Sequence, residues 1–128
     1  MPKQTWKGGT LIYPVPAVMV SCGNYPDEKN IITIAWTGTI NTNPPIAYIS
    51  VRPERYSYDI IKNTGEFVIN LTTKSLAKAC DFCGVKSGRD TDKFAETGLT
   101  PGKASIVKSP IILESPVNIE CKVKQIIP

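Results

Sequence analysis

Residues 33–71, TIAWTGTINTNPPIAYISVRPERYSYDIIKNTGEFVINL, alternate between short apolar runs and polar turns. The β-branched run 30–36 overlaps the start of this stretch and predicts a short strand buried on both faces. Residues 37–45 predict a loop or an irregular strand, and 45–51 predict the next strand. The alternating run 66–73 predicts a third strand. Connections of hairpin length between these runs favour antiparallel pairing.

The predicted helices are few and short. Pro53 suits the first turn of a helix, where its missing N–H costs nothing, and Gly65 suits the left-handed position that ends one. Further helices are predicted at 74–83 and 91–97, and further strands at 11–22, 110–115 and 118–127. The pattern predicts one mainly β domain over 1–128, an antiparallel barrel or sandwich with a few short helices. Because the chain stops inside a predicted strand, we expect the domain to be C-terminally truncated.

The amino-acid composition limits the catalytic and ligand-binding chemistry open to the chain. The 128 residues carry a net charge of +4 and contain no histidine. Histidine-based acid–base catalysis, histidine-activated nucleophiles and imidazole metal ligands are therefore excluded. The positive charge is mild and scattered, which favours an anionic ligand over a nucleic acid.

The N-terminal apolar run 11–20 is interrupted by Pro14 and Pro16, so it predicts a strand rather than a signal peptide. No apolar run reaches the roughly 18 residues that a membrane span needs. We therefore expect a cytoplasmic protein with no membrane partner.

Four cysteines occur, at positions 22, 80, 83 and 121. Their spacing matches neither a disulfide scaffold nor a zinc site, so no metal site is predicted. Cys80 and Cys83 form a C-x-x-C pair, which in a thioredoxin-like protein would follow a strand. Here the pair lies in a predicted helix. Buried, inert thiols are the simpler interpretation, and a thiol redox role is the alternative.

The exit from strand 45–51 places Arg52, Arg55 and the Ser57 hydroxyl at a predicted helix N-terminus. Free backbone N–H groups and the positive end of the helix dipole make such a position suitable for a phosphate-sized anion. The alternative is a solvated basic corner in which Arg55 pairs with a neighbouring carboxylate.

Trp36, Thr37 and Gly38 follow a predicted buried strand and combine an aromatic plane, a hydroxyl and a permissive glycine. A planar heterocycle needs a flat partner and a few polar groups of this kind. A tryptophan that belongs to the core explains the same pattern.

The segment CGVKSGRDTDKF, 83–94, adds positive charge through Arg89 and Lys93 beside a turn. Asp90 or Thr91 can cap the short helix that follows. The segment lacks the glycine spacing of dinucleotide-binding and P-loop motifs, so neither form of nucleotide binding is predicted.

Residues 33–71, ACDFCGVKSGRDTDKF at 79–94 and GLTP at 98–101 together resemble the flavin reductase-like, FMN-binding split-barrel family, and its flavoredoxin branch most of all. The most specific pieces are NPP followed by SVRPERYSYD, and SGRDTDKF. The resemblance implies an antiparallel split β-barrel that binds FMN non-covalently, usually in a homodimer with FMN near the subunit interface.

The resemblance also implies where FMN lies. The loop after strand 30–36 would line the isoalloxazine ring, the strand ending in SVR would lead to the ribityl and phosphate groups, and 83–94 would close over the flavin. The implied cofactor-binding residues are Trp36, Thr37, Gly38, Asn41, Thr42, Ser50, Arg52, Tyr56, Ser57, Gly84, Ser87 and Lys93. No catalytic side chain is implied, because the cofactor itself takes the hydride.

The implied function is an FMN-dependent oxidoreductase of the flavin reductase or flavoredoxin type, with NAD(P)H as the expected electron donor. Three alternatives stay open at this point. They are a non-catalytic FMN electron carrier serving a protein donor, a thiol redox protein using Cys80 and Cys83, and a barrel that only binds an anionic ligand or partner.

Overall fold

The computed structural model describes residues 1–128 and consists mainly of short antiparallel strands joined by three α-helices. A 3₁₀ turn at Lys74–Leu76 leads into the second helix. In chain order the elements are β1 Val18–Cys22, β2 Asn30–Ile34, β3 Thr37–Asn41, β4 Ile46–Ile49, α1 Tyr56–Thr64, β5 Glu66–Asn70, α2 Ala77–Val85, α3 Lys93–Thr97, β6 Pro101–Gly102, β7 Ile111–Ile112 and β8 Asn118–Lys122.

The main sheet has the strand order β2-β1-β5-β8, and every neighbouring pair in it is antiparallel. Two separate antiparallel pairs, β3–β4 and β6–β7, complete the strands. This arrangement confirms the predicted mainly β, antiparallel class with a few short helices. The longest helices have nine residues, too few for any of them to cross a membrane.

Helices cover both faces of the main sheet. Alternate residues of a strand point to opposite sides, so β1 and β2 contribute side chains to two separate cores. One core contains Val18, Val20 and Cys22 of β1 and is closed by Ile60 and Ile61 of α1. The core on the other face contains the remaining apolar side chains of β1 and β2, together with those of α2 and α3. Its members include Met19, Ile31, Cys83 and Phe94. The prediction that the run 30–36 is buried on both faces is thereby confirmed for β2.

Helix α1 begins at Tyr56, three residues after the predicted start at Pro53. The backbone N–H of Arg55 donates to Arg52 O at 3.0 Å, and Arg55 itself is extended, with φ −74° and ψ 141°. Residues 52–55 therefore form a turn before the helix. The predicted end is confirmed, since Gly65 has φ 70° and its N–H donates to Ile61 O.

Helix α3 begins at Lys93 rather than at residue 91, because Asp92 is the capping residue. The backbone N–H of Ala95 donates to Asp92 Oδ1 at 3.2 Å. The prediction that Asp90 or Thr91 caps this helix was wrong by one or two positions, since both precede the turn whose N–H groups need a partner.

Several predicted strands were too long. The strand at 30–36 ends at Ile34, and 66–73, 110–115 and 118–127 shorten to Glu66–Asn70, Ile111–Ile112 and Asn118–Lys122. Within 11–22 only Val18–Cys22 is a strand, because the proline-containing part before it makes no ladder. Residues 37–41, predicted as loop or irregular strand, pair with β4 around a bulge between Thr39 and Asn41.

The Glu120 carboxylate on β8 holds the loop that precedes β7. It accepts backbone N–H groups from Ser105, Ile106 and Val107 at 3.1, 2.6 and 3.1 Å. Partial burial raises the pKa of Glu120, but the three donors outweigh this and leave the pKa below its ordinary value. One side chain thus satisfies three consecutive loop amides.

Candidate anion-binding site

A cavity of about 180 Å³ lies where the N-terminus of α1 meets the start of β2 and the segment between α2 and α3. Its walls include Asn30 of β2, residues 55–57 at the start of α1, residues 86–89 and Lys93 of α3. Four of these side chains are cationic, those of Arg55, Lys86, Arg89 and Lys93. Glu54 is the one acidic residue of the lining, so the cavity carries a net positive charge.

Lys93 is a buried cation without a carboxylate partner. Only 3% of the residue is exposed, and its Nζ donates to Ile31 O at 2.7 Å and to Cys83 O at 2.8 Å. The single ion pair of the structure joins Arg52 and Glu54. Burial lowers the pKa of Lys93, the neighbouring Cys83 thiol raises it, and Arg55 lowers it further. A buried charge that carbonyl groups solvate but do not neutralise favours an anionic ligand.

The N-terminus of α1 and the C-terminus of α2 meet at the cavity. No side chain caps the N-terminus of α1, so its first N–H groups and the positive dipole end stay available. At the opposite pole, the last carbonyls of α2 accept from cations, Cys83 O from Lys93 and Gly84 O from Arg55 Nη2 at 3.2 Å. The negative end of α2 thus holds two cations beside the positive end of α1.

Asn30 and Ser57 supply buried neutral polar groups at the cavity. Asn30 Nδ2 donates to Ser57 Oγ at 2.8 Å, and both residues are buried. This bond orients the hydroxyl of the first turn of α1. The Ser57 hydroxyl thus lies beside the uncapped N-terminus of α1.

The turn at 87–90 covers the cavity by packing on α1. The guanidinium of Arg89 lies 5.4 Å from the centre of the Tyr56 ring, and its Nη1 donates to Glu54 O at 3.1 Å. A Cβ on Gly88 would lie 2.5 Å from Tyr56 Cδ2 and would overlap Asn30 Oδ1. Only glycine allows this close approach.

The β3–β4 hairpin carries a second group of predicted residues. Trp36 precedes β3 and is 52% exposed, so it does not belong to the core. Thr37 Oγ1 donates to Tyr48 O at 2.8 Å, and a Cβ on Gly38 would lie 3.0 Å from Tyr48 Cε1. The hairpin therefore presents an exposed aromatic face.

The predicted site residues fall into three groups. Tyr56, Ser57, Ser87 and Lys93 lie together around the anion cavity. Gly84 lines a neighbouring cavity. The others, which are outside the lining of either cavity, are Trp36, Thr37, Gly38, Asn41, Thr42, Ser50 and Arg52.

Arg52 does not reach the anion cavity. Its Nη2 lies 2.7 Å from Glu54 Oε1, and its side chain is 73% exposed. Arg55, the residue just before the observed helix, reaches the cavity instead.

Asn30 is the site residue that sequence reasoning missed. It begins the run NIITIAW and shares a strand face with Ile32 and Ile34. A polar side chain at an inward position of an otherwise apolar strand was the signal that could have found it.

The cysteines are free and largely buried. Burial raises the pKa of Cys83 to about 11 and that of Cys22 to about 12. Burial also raises the pKa of Cys80. Neither sulfur of the C-x-x-C pair has the exposed, low-pKa character of a redox-active thiol.

The fold and the sequence agree with one family of proteins. Residues 10–128 match the family model of the flavin reductase like domain, and the chain belongs to that family. The match confirms the resemblance found in residues 33–71 and 79–94.

Particular solved structures are similar to this chain. Flavoredoxin of Desulfovibrio vulgaris (Miyazaki F) is 33% identical with a TM-score of 0.92, over 99% of this chain and 69% of that one. Flavoredoxin from Methanosarcina acetivorans is 27% identical with a TM-score of 0.87, over 98% of this chain and 66% of that one. An FMN-binding domain of a flavin reductases-like enzyme from Shewanella baltica OS155 shares the fold, with a TM-score of 0.77 and 21% identity over 84% of this chain and 56% of that one.

Two relatives with similar sequences are uncharacterized proteins. One from Pyrococcus abyssi is 30% identical over 91% of this chain and 66% of its own length. One from Aquifex aeolicus is 31% identical over 92% of this chain and 63% of its own length. The chain thus spans just under two thirds of the length of these relatives.

Proposed function

We propose that this chain binds FMN non-covalently through the cavity at the N-terminus of α1 and serves as a flavin reductase or flavoredoxin-type oxidoreductase. The observation that carries the proposal is the buried Lys93 ammonium, which lacks a carboxylate and lies beside an uncapped helix N-terminus. The terminal phosphate of FMN supplies the missing negative charge. Membership of the flavin reductase-like family and the similarity to two flavoredoxins support flavin as the molecule that carries this phosphate.

Each side chain then has a binding role. Lys93 and the first N–H groups of α1 hold the phosphate, Asn30 orients the Ser57 hydroxyl, and Arg55 balances the second phosphate charge. Trp36, Thr37 and Gly38 on the hairpin contact the ring side of the cofactor. Bound FMN supplies the chemistry by accepting a hydride or single electrons. The protein binds and orients it, which agrees with the absence of histidine from the sequence.

The proposal also covers the electron donor, the oligomeric state and the cellular compartment. NAD(P)H is the proposed electron donor. Trp36, Ile40 and Tyr48 form an exposed apolar patch on the hairpin, which supports a homodimer. Four free thiols suit the reducing cytoplasm.

Flavin extraction and titration test the proposal. The purified chain is denatured, and the released chromophore is identified by chromatography. The flavin-free protein is then titrated with FMN and with riboflavin, followed by flavin fluorescence. We expect FMN to be recovered and to bind more tightly than riboflavin, which lacks the phosphate. Equal affinity for both flavins, or no binding of either, contradicts the proposed site.

Electron transfer is tested separately. Steady oxidation of NADH or NADPH in the presence of FMN supports a reductase. Reversible reduction of bound FMN without turnover supports instead an FMN carrier that serves a protein donor.

A further inference from the structure

A second cavity, of about 300 Å³, lies between one face of α2, strand β2 and the residues that follow β5. Its lining residues on α2 are Ala77, Cys80, Asp81, Gly84 and Val85, which recur at helical spacing, and the others are Thr33, Thr72 and Thr73. Its size is at the lower end of the roughly 300–1,000 Å³ typical of ligand pockets. Val85 is shared with the anion cavity, so the two cavities are neighbours.

Two of the three threonine hydroxyls that line this second cavity donate their protons within the protein, and the third, that of Thr73, shares a hydrogen bond with Ser75 Oγ. Thr33 Oγ1 donates to Cys80 O, and Thr72 Oγ1 donates to Ala17 O at 2.7 Å. A hydroxyl that donates its only proton keeps lone pairs that can accept. Thr33 and Thr72 therefore offer acceptors to a ligand.

Charge in the second cavity has the opposite sign to that in the first. Asp81 contributes a carboxylate that takes part in no ion pair, and no lysine or arginine lines the cavity. An ionised carboxylate only accepts hydrogen bonds. The remaining wall is formed by Ala77, Val85, the thiol-bearing Cys80 and the Cα of Gly84, where a Cβ would lie 3.2 Å from Thr33 Cβ.

We propose that this second cavity is a ligand site for a small apolar or aromatic molecule bearing an N–H donor, a primary carboxamide or a protonated amine. The Asp81 carboxylate and the acceptor oxygens of Thr33 and Thr72 bind such a group, and the same carboxylate repels an anionic ligand. The inference goes beyond flavin binding and does not depend on it. The chain then has two adjacent cavities, one selective for anions and one for N–H donors.

Three probes of similar shape test the selectivity. Benzamide, benzylamine and benzoate are titrated separately into the ¹⁵N-labelled chain, and the amide signals are followed by NMR. We expect benzamide or benzylamine to shift the signals of residues 72, 73, 81 and 85 to saturation, and benzoate to leave them in place. Equal shifts with benzoate, or no saturable shift with either nitrogen probe, overturn the proposal. The probes need no flavin, so this result is independent of the FMN titration.

Variants locate the bound probe. Ala77 is exposed on α2, and Ala77→Leu fills the cavity from its open side without removing a hydrogen bond. We expect this variant to lose the shifts and Ala95→Leu, on the exposed face of α3, to keep them. Binding to Ala77→Leu as tight as to the parent chain contradicts the proposed location.

A third variant distinguishes a protonated amine from a neutral carboxamide as the preferred N–H donor. Asp81→Asn removes the only charge of the lining while keeping its shape. We expect benzylamine to bind about two- to fivefold more weakly, because an exposed charge pair contributes little, while benzamide is affected less. Tighter binding of benzylamine to Asp81→Asn contradicts the acceptor role of Asp81.

Discussion

Replacing Lys93 by methionine tests the anion cavity most directly. Methionine keeps the length and apolar stem of lysine and removes the ammonium that donates to Ile31 O and Cys83 O at 2.7 and 2.8 Å. A buried hydrogen bond to a charged group contributes about 1.5–3 kcal/mol. FMN should therefore bind roughly 10- to 150-fold more weakly to Lys93→Met.

The same substitution has two opposing effects on folding. It removes the cost of burying a charge, but it leaves the carbonyls of Ile31 and Cys83 without their donor. We expect the free energy of unfolding of the flavin-free protein to change by no more than about 2 kcal/mol. Urea unfolding monitored by circular dichroism measures this change and shows that the variant is folded.

Riboflavin separates recognition of phosphate from general damage to the site. FMN and riboflavin are titrated into Lys93→Met and into Lys78→Met, which changes an exposed lysine of α2. Only FMN affinity should fall, and only in Lys93→Met. If the affinities for FMN and riboflavin fall by the same factor, Lys93 is a structural residue and the phosphate role is refuted.

Gly88→Ala should weaken FMN binding and destabilise the fold by about 1–3 kcal/mol, since its Cβ would overlap the side chains of Asn30 and Tyr56, whereas Gly9→Ala, with open space around it, should change neither. Thermal unfolding measures both. Arg55→Ala should reduce FMN affinity severalfold in a fluorescence titration, and Arg52→Ala should leave it unchanged, because only Arg55 lines the cavity. Glu120 has a depressed folded pKa, so its stabilising effect is present above the ordinary carboxyl pKa of 4.5 and disappears as the pH falls through the folded value. Urea unfolding of Glu120→Gln at several pH values should show a stability deficit at neutral pH that shrinks in acid; a deficit independent of pH contradicts the linkage.

Local sequence patterns predicted the structure correctly where it depends on residues that are close together in the chain. The apolar run 30–36 predicted a strand buried on both faces, and Gly65 predicted the end of α1. Element ends were less predictable. Pro53 suits a first helical turn in isolation, yet the turn closed by the Arg55 N–H and Arg52 O delays the helix to Tyr56. That delay decides which arginine faces the cavity.

By itself, the sequence determined the mainly β antiparallel class, the family and the positive character of the segments at 52–57 and 83–94. The tertiary structure alone decided which of these charges meet. Asn30 and Ser57 are 27 residues apart, and Lys93 is 62 residues from the Ile31 carbonyl that it contacts. Periodicity and capping rules act over a few residues, so they predict elements but not such contacts. Packing of α1, α2 and α3 on opposite faces of one sheet brings the uncapped helix end and the buried ammonium together at its edge.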